Sequence, residues 1–267
     1  MKKILAILFV GILASLNLLS CLASDTKMGF LPNQTAVAYS FIHGNYVGQA
    51  FVTTDNEGKL EVEIDEAFLP DVLCAVSYGI NGWNDETTIS YESRGKKYYV
   101  AKYIEYADTI YVAVQSGKTF SYVKADDKGE AVGETQLDKE IITNQDTMAS
   151  YFDNIKNGKL RIFAQFGGYA IPITLSMYGG LTKRKAPDYW NNGLGWAGNI
   201  KAIEDFIEDY GSQYSLNEMS QASEKNKEGL RFWSVADTVT GATNSDFKSY
   251  FALAQSAIAR LKTHFPR

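Results

Sequence analysis

The chain has 267 residues, of which 45% are hydrophobic, 13% aromatic and 21% charged, so it can bury a core and is not an intrinsically disordered chain. Its 26 lysines and arginines are outnumbered by 31 aspartates and glutamates. Because the sequence also lacks a basic tract, nucleic acid is not an expected partner. The 17 tyrosines and 14 phenylalanines favour β-structure.

The N-terminus is typical of a targeting segment. Two lysines precede the apolar run ILAILFVGILASLNLL, which is too short and too poorly flanked for a stable transmembrane anchor. The run ends in LLSC (18–21), which resembles the lipobox of bacterial lipoproteins. That resemblance implies a signal peptide at residues 1–20, a lipid on Cys21, and a membrane-anchored protein facing the periplasm or the cell exterior. Ordinary cleavage near Ala23, with Cys21 incidental, is the alternative.

That cleavage and the lipid on Cys21 would change the net charge and the number of free cysteines in the mature chain. Removal of both N-terminal lysines makes the formal net charge two units more negative than the −5 of the full chain. With Cys21 lipidated, Cys74 is the one remaining cysteine, so an intramolecular disulfide is excluded. Cys74 lies in the apolar run LPDVLCAVSYG and is predicted to be a small buried hydrophobic residue.

A tether is predicted at residues 21–36, which show no sustained periodicity, followed by one domain over 37–267. The clearest local pattern is LEVEID, in which apolar and acidic residues alternate as in a strand with one solvated face. The preceding turn, TTDNEGK, contains Gly58, which can adopt positive φ. We therefore predict a hairpin of Tyr46–Val52 and Leu60–Ile64.

Further strands are predicted in the middle of the chain. Residues 96–129 alternate aromatic and β-branched residues with polar ones, as in an antiparallel sheet, with a turn at 107–108. Residues 144–159 have a short helical pattern. Residues 160–180 return to a strand pattern, and Pro172 within them indicates a bulge or a sheet edge.

Two amphipathic helices are predicted near the C-terminus. The first covers Asn199–Tyr210 with Asn199 as its N-cap, and the second begins around Ser245 with one apolar stripe. A polar connection with one helical turn is predicted at 211–229. The fold class that follows is α+β, in which a twisted antiparallel sheet packs against both helices.

The stretch DTVTGAT (237–243) lies just before the last helix and has the form D-x-x-[S/T]-G-A-[S/T]. A chance match in a chain of this length has a probability of roughly one in a thousand. The stretch resembles the flavinylation motif of FMN-binding domain proteins. These include periplasmic flavin subunits of the sodium-pumping NADH:quinone reductase and the Rnf complex, and extracellular electron-transfer lipoproteins. NYVGQAFVTTDNEGKLEVEI likewise resembles the opening hairpin of that family, whereas residues 66–230 form a longer middle than its compact domain has.

The resemblance implies that a Mg-dependent flavin transferase moves FMN from FAD onto the last hydroxyl residue of the motif, leaving a phosphoester bond. The acceptor is then Thr243. The implied function is electron transfer by a redox carrier, rather than catalysis by a self-contained enzyme, with redox partners in the membrane or outside the cytoplasm. The expected cofactor-binding residues are Thr243, Asp237, Thr240, Gly241, Ala242 and Trp233, without catalytic residues or metal ligands.

The chemistry of the motif agrees with this role. A threonine hydroxyl is a poor nucleophile without an activating base or metal, so attachment requires the active site of another enzyme. Gly241 and Ala242 keep the loop small, and Thr240 can satisfy backbone donors so that Thr243 points outward. Asp237 either does the same or contacts the transferase and its magnesium. The phosphodiester would lie near a helix N-terminus, which favours an anion.

The sequence also leaves open alternatives to covalent flavin attachment. Thr243, Asn244 or Ser245 could simply cap the last helix. The protein would then be a solute-binding or adhesive lipoprotein, with Trp190 and Trp196 in its ligand pocket. A non-covalent flavin protein is the third possibility. For a bound flavin ring, Phe232, Trp233 and Tyr250 are candidate apolar contacts.

Overall fold

The computed structural model describes residues 29–42, 46–93, 95–190, 193–212, 214–235 and 238–263, without the side chains of 238–239. Cys21 and Asp237, and with them the predicted signal peptide, lie outside the described residues. The strands are β1 (Thr35–Ile42), β2 (Tyr46–Thr54), β3 (Leu60–Phe68), β4 (Thr88–Ser93), β5 (Lys96–Ala101), β6 (Tyr103–Tyr106), β7 (Thr109–Ser116), β8 (Thr119–Ala125), β9 (Ala131–Gln136), β10 (Leu160–Phe163), β11 (Ala170–Pro172), β12 (Met219–Lys225), β13 (Arg231–Val235) and β14 (Thr238–Val239). The α-helices are α1 (Pro70–Leu73), α2 (Leu137–Ile141), α3 (Gln145–Lys156), α4 (Gly195–Tyr210) and α5 (Phe247–Ile258).

The strands form four antiparallel sheets, which confirms the α+β class. Their orders are β1-β2-β3, β11-β10-β6-β7-β8-β9, β12-β13-β14 and β4-β5. The predicted hairpin is β2–β3, where Tyr46 pairs with Phe68 and Thr54 with Leu60. Gly58 in its turn has φ +81° and lies against the carbonyl of Phe30, so a side chain there would clash as well as strain the backbone.

The first hydrophobic core lies between the β1–β3 sheet and the two long helices, α4 and α5. Alternate residues of the strands, such as Ala50, Val52 and Ile64, face this core. Helix α4 covers the edge strand β3, and the Glu204 carboxylate accepts a hydrogen bond from Ile64 N at 2.7 Å. Carboxylates of α4 thus accept hydrogen bonds from backbone N–H groups of β3 that would otherwise be unpaired at the sheet edge.

The second core lies around the six-stranded sheet and helices α1–α3. Cys74 is fully buried in it, as predicted, and burial raises the pKa of its thiol. Asn144 caps α3 with a capping box, accepting from the backbone N–H groups of Asp146 and Thr147. Helix α3 also covers the β1 edge, since Gln145 bonds both backbone groups of Tyr39.

A buried ion pair joins the two cores. Lys183 Nζ lies 2.6 Å from Glu66 Oε2, and both side chains are almost completely inaccessible to solvent. Glu66 Oε2 also accepts from Tyr250 OH at 2.7 Å and from Trp196 Nε1 at 3.0 Å. The Lys183 ammonium lies 3.5 Å from the centre of the Tyr46 ring. One carboxylate therefore links β3, both long helices and the loop before α4.

Two segments that were predicted to contain no strand do contain one. Strand β1 begins at Thr35, inside the predicted tether of 21–36, and Phe30 already forms a β-bridge with Thr263. The predicted polar connection at 211–229 contains one 3₁₀ turn and then β12, which pairs with β13. Strand β12 is almost entirely exposed, so it has no apolar alternation that a sequence pattern could detect. None of the helices that the structure describes is both long and apolar enough to span a bilayer.

Candidate functional site

The loop that holds the predicted acceptor, residues 240–246, connects the β13–β14 hairpin to α5 and is called the acceptor loop below. Thr240 donates to the Trp233 carbonyl through both its backbone N–H and its hydroxyl, each at 2.9 Å. Trp233 N donates in turn to the Ala242 carbonyl at 2.8 Å. The Thr240 hydroxyl also accepts from Ala242 N at 3.3 Å. Thr240 therefore satisfies backbone groups of the loop, as its place in the motif predicts.

The structure gives a separate physical reason why each of two positions in the motif holds a small residue. Gly241 has φ +80°, a conformation that strains any residue with a Cβ atom. Ala242 is fully buried in the first core, so a longer side chain would have to displace packed neighbours. The sequence Gly-Ala thus fixes a tight turn immediately before Thr243.

Thr243 is partly exposed and is held by α4. Its backbone N–H and its hydroxyl both donate to Asn199 Oδ1, at 2.5 and 3.2 Å. Asn199 is 1% exposed, and its Nδ2 donates to the Gly195 carbonyl at 2.6 Å, which fixes the orientation of the amide. The hydroxyl is therefore turned toward α4 rather than directly outward. Asn199 is not the N-cap, because α4 begins at Gly195 and Leu194 is its N-cap residue.

The Trp233 indole lies beside the loop. Its ring stacks on Phe247 with centroids 5.0 Å apart and planes 2° apart, and its Nε1 donates to the Asn244 carbonyl at 2.7 Å. Trp233 remains partly exposed. Tyr250, in contrast, is 2% exposed and bonded to Glu66, so it belongs to the core and not to a flavin surface.

The capping explanation does not account for Thr243. Helix α5 begins at Phe247 and its N-cap residue is Asp246. Thr243 and Asn244 precede that position, and Thr243 is bonded to α4 instead. Thr243 lies three residues before the N-cap of α5, where a helix N-terminus favours an anion but the Asp246 carboxylate competes for the same positive end.

Asn244 is the unusual polar residue of this loop. Its side chain is buried, and neither Nδ2 nor Oδ1 has a hydrogen-bond partner among the described residues. Leaving a buried polar group unpaired costs about 1–3 kcal/mol. The unpaired Nδ2 of Asn244, in the residue after Thr243, would be a hydrogen-bond donor for the oxygens of a phosphodiester on Thr243. The residues present are therefore compatible with covalently bound FMN.

The alternative ligand pocket also has a counterpart in the structure. A cleft of about 240 Å³ at the start of α4 is lined by Lys183, Trp190 and Trp196 among others. Trp196 is only 4% exposed and its indole N–H is bonded to Glu66, so most of that ring is core. Within the described ranges, no group of three or more His, Cys, Asp or Glu side chains could hold a metal ion.

Replacing Asn199 with alanine is expected to loosen the acceptor loop. The Thr243 N–H loses its acceptor, so we expect a loss of about 1–3 kcal/mol in unfolding free energy and faster hydrogen exchange of the Thr243 amide. Urea unfolding and amide exchange measure the two effects. Asn154→Ala is the control, since Asn154 on α3 donates to the hydroxyl of Tyr106 on β6 and its loss should leave Thr243 exchange unchanged. Unchanged exchange in Asn199→Ala would show that this contact does not hold the loop.

Comparisons with known proteins yield no relative. No protein-family profile matches the chain, and no curated protein or solved structure is significantly similar to it.

Proposed function

We propose that this chain is an exported, membrane-tethered flavoprotein that carries FMN in phosphoester linkage to Thr243 and acts as an electron carrier. The observation that carries the proposal is the fold of the motif. Thr240, Gly241 and Ala242 build a tight turn that leaves a partly exposed threonine just before a helix N-terminus. The unpaired amide of Asn244 supports the same reading.

The two segments that resemble FMN-binding domain proteins belong to one core. The opening hairpin, β2–β3, packs against α4 and α5, and the acceptor loop leads directly into α5. The part of the middle that precedes α4 builds the second core around the six-stranded sheet, whereas α4 and Met219 of β12 belong to the first core. A flavinylated domain with a large insertion accounts for this arrangement and for the length of residues 66–230.

Attachment transfers the FMN phosphoryl group from the phosphoanhydride of FAD to a hydroxyl, where it forms a phosphoester. Thr243 Oγ1 forms a new P–O bond to the FMN phosphorus as the pyrophosphate bond of FAD breaks and AMP leaves. The hydroxyl proton passes to a base of the transferase. The hydroxyl must give up its hydrogen bond to Asn199 in that step, whereas the Thr243 N–H can keep the same acceptor.

Bound FMN would supply one- and two-electron chemistry, while the chain supplies attachment and surroundings. Trp233 would offer an indole edge beside the loop, and Asn244 Nδ2 a donor for the phosphodiester. The acidic chain would affect partner choice through its electrostatic field. We assign the protein to the outer face of a membrane, anchored through lipid on Cys21.

Co-expression with a flavin transferase tests this proposal. Intact-mass measurement should show a gain equal to FMN less water, roughly 440 Da for condensation at a hydroxyl. Peptide mapping should assign that mass to the peptide containing Thr243, and Thr243→Ala should abolish it completely. Ser245→Ala is the matched control, because Ser245 is an exposed hydroxyl two residues away and should leave labelling intact.

The alternatives give different results in the same experiment. A colourless protein without added mass, made with a transferase that is active on another substrate, would favour a solute-binding or adhesive lipoprotein. Yellow protein that releases its flavin on acid or heat denaturation would indicate non-covalent binding. In either case Thr243→Ala would have no effect on flavin content, and the covalent assignment would be wrong.

A further inference from the structure

Asn199 holds the backbone and the side chain of Thr243 through one oxygen atom. Its Oδ1 accepts from the Thr243 N–H and from the Thr243 hydroxyl, while its Nδ2 donates to the Gly195 carbonyl at 2.6 Å. A backbone N–H can only donate and a carbonyl can only accept, so these contacts fix the orientation of the amide. A flipped amide would place oxygen against the Gly195 carbonyl and hydrogens against the Thr243 N–H. Because Asn199 is 1% exposed, water cannot replace the lost hydrogen bonds.

The backbone on both sides of Thr243 is held by Trp233. Trp233 N donates to the Ala242 carbonyl at 2.8 Å, and its indole Nε1 donates to the Asn244 carbonyl at 2.7 Å. Ala242 is fully buried, so the peptide unit before Thr243 cannot shift without repacking the first core. Rotation of the Thr243 side chain about its Cα–Cβ bond is therefore the movement that disturbs this loop least.

Formation of a phosphoester removes the hydrogen that joins Thr243 Oγ1 to Asn199. In the structure the hydroxyl hydrogen lies between two oxygens that are 3.2 Å apart. An ester oxygen carries no hydrogen, so in the same rotamer two acceptors would face each other. The negative charge of a phosphodiester would also be repelled by the partial negative charge of Oδ1. The Thr243 N–H, in contrast, keeps its hydrogen and its acceptor.

We propose that Asn199 is a positioning residue that holds the Thr243 hydroxyl against α4 before flavin attachment and turns the esterified side chain away from α4 afterwards. This inference rests on the proposed function, because it requires a phosphoester on Thr243. The loop backbone keeps its place in both states, since the contact of the Thr243 N–H with Oδ1 is common to them. The linkage to the flavin therefore leaves the loop on the side that faces away from Asn199.

NMR couplings of the Thr243 methyl group measure this rotation. The three-bond couplings from Cγ2 to the backbone nitrogen and to the carbonyl carbon give the χ1 populations of a threonine. They would be recorded for the full chain before and after loading by a flavin transferase. A hydrogen bond of ordinary net strength should favour the rotamer that faces Asn199 by roughly two- to tenfold before loading. After loading, the rotamers that face away should predominate. The same preferred rotamer in both states would overturn the proposal.

Two alanine variants separate the role of Asn199 from a direct effect of the phosphodiester. Asn199→Ala removes the shared acceptor, so loading should change the Thr243 rotamer populations by less than about twofold. Asn154→Ala removes a hydrogen bond on α3 and should leave the full change intact. A change in Asn199→Ala as large as in the unsubstituted protein would show that Asn199 does not turn the side chain.

The protein mass records flavin attachment separately from the couplings. If Thr243 gains no mass, the proposed function is wrong and the outward turn is wrong with it. If Thr243 gains the mass and its couplings do not change, the positioning role alone is overturned. Averaged couplings in the unloaded protein would show that Asn199 does not hold the hydroxyl, whether or not flavin attaches.

Discussion

Replacing Lys183 with methionine is expected to destabilise the protein by about 3–5 kcal/mol, the usual cost of breaking a buried ion pair by removing one partner. Methionine preserves most of the apolar stem but removes the ammonium that lies 2.6 Å from Glu66 Oε2. The Glu66 side chain is completely inaccessible to solvent, and its Oε1 has no hydrogen-bond partner among the described residues. The variant therefore leaves a buried carboxylate that the Trp196 and Tyr250 donors only partly compensate.

A matched pair of variants separates this cost from simple loss of a lysine. Lys201→Met breaks an exposed i,i+4 pair with Asp205 on α4 and should cost less than about 1 kcal/mol. Combining Lys183→Met with Glu66→Gln should recover most of the loss, because both charges are then gone. Urea unfolding of the four proteins measures these differences. A cost for Lys183→Met no larger than for Lys201→Met would show that the buried pair does not stabilise the junction of the two cores.

Much of the fold was predicted from the local periodicity of apolar residues. The alternation in LEVEID and the glycine turn before it predict β2–β3, and the apolar stripes predict α4 and α5. Periodicity failed where burial does not alternate. The edge strands β9 and β12 are nearly all exposed, and their pairing is decided by neighbouring strands rather than by their own residues. The division into two cores was not predicted, because it depends on long-range packing.

For the candidate site, the motif predicts the loop but not what holds it. The roles of Thr240 and Gly241 follow from short-range geometry and appear in the structure. Asn199 looked like a helix cap because an asparagine precedes an apolar stripe, yet it is buried and binds Thr243 across 44 residues. Contacts of that separation have no local signature, and the unpaired amide of Asn244 is visible only once the loop is folded.

The last prediction concerns a half-buried acid, Asp71, in the first turn of α1, whose Oδ1 atom is inaccessible to solvent and has no hydrogen-bond partner among the described residues. Burial, and then the nearby Asp138 carboxylate, raise the pKa of Asp71 to about 7 from its ordinary 3.8. Burial likewise raises the pKa of Asp138 to about 6. Between pH 4 and pH 7 the folded protein therefore holds protons that the unfolded chain has lost. Since the folded state binds more protons, stability falls as the pH rises through this range.

Asp71→Asn should therefore stabilise the protein at pH 8 and have little effect at pH 4. The shift of Asp71 corresponds to an energy on the order of 4 kcal/mol, which is the upper limit for the gain at pH 8. Unfolding free energies from urea titrations at pH 4, 6 and 8 measure the trend. Asp146→Asn is the control, because Asp146 also lies in the first turn of a helix but is exposed, and its removal should be mildly destabilising. If Asp71→Asn lowers stability at pH 8, the carboxylate makes interactions that outweigh its burial, and the two aspartates do not oppose folding near neutral pH.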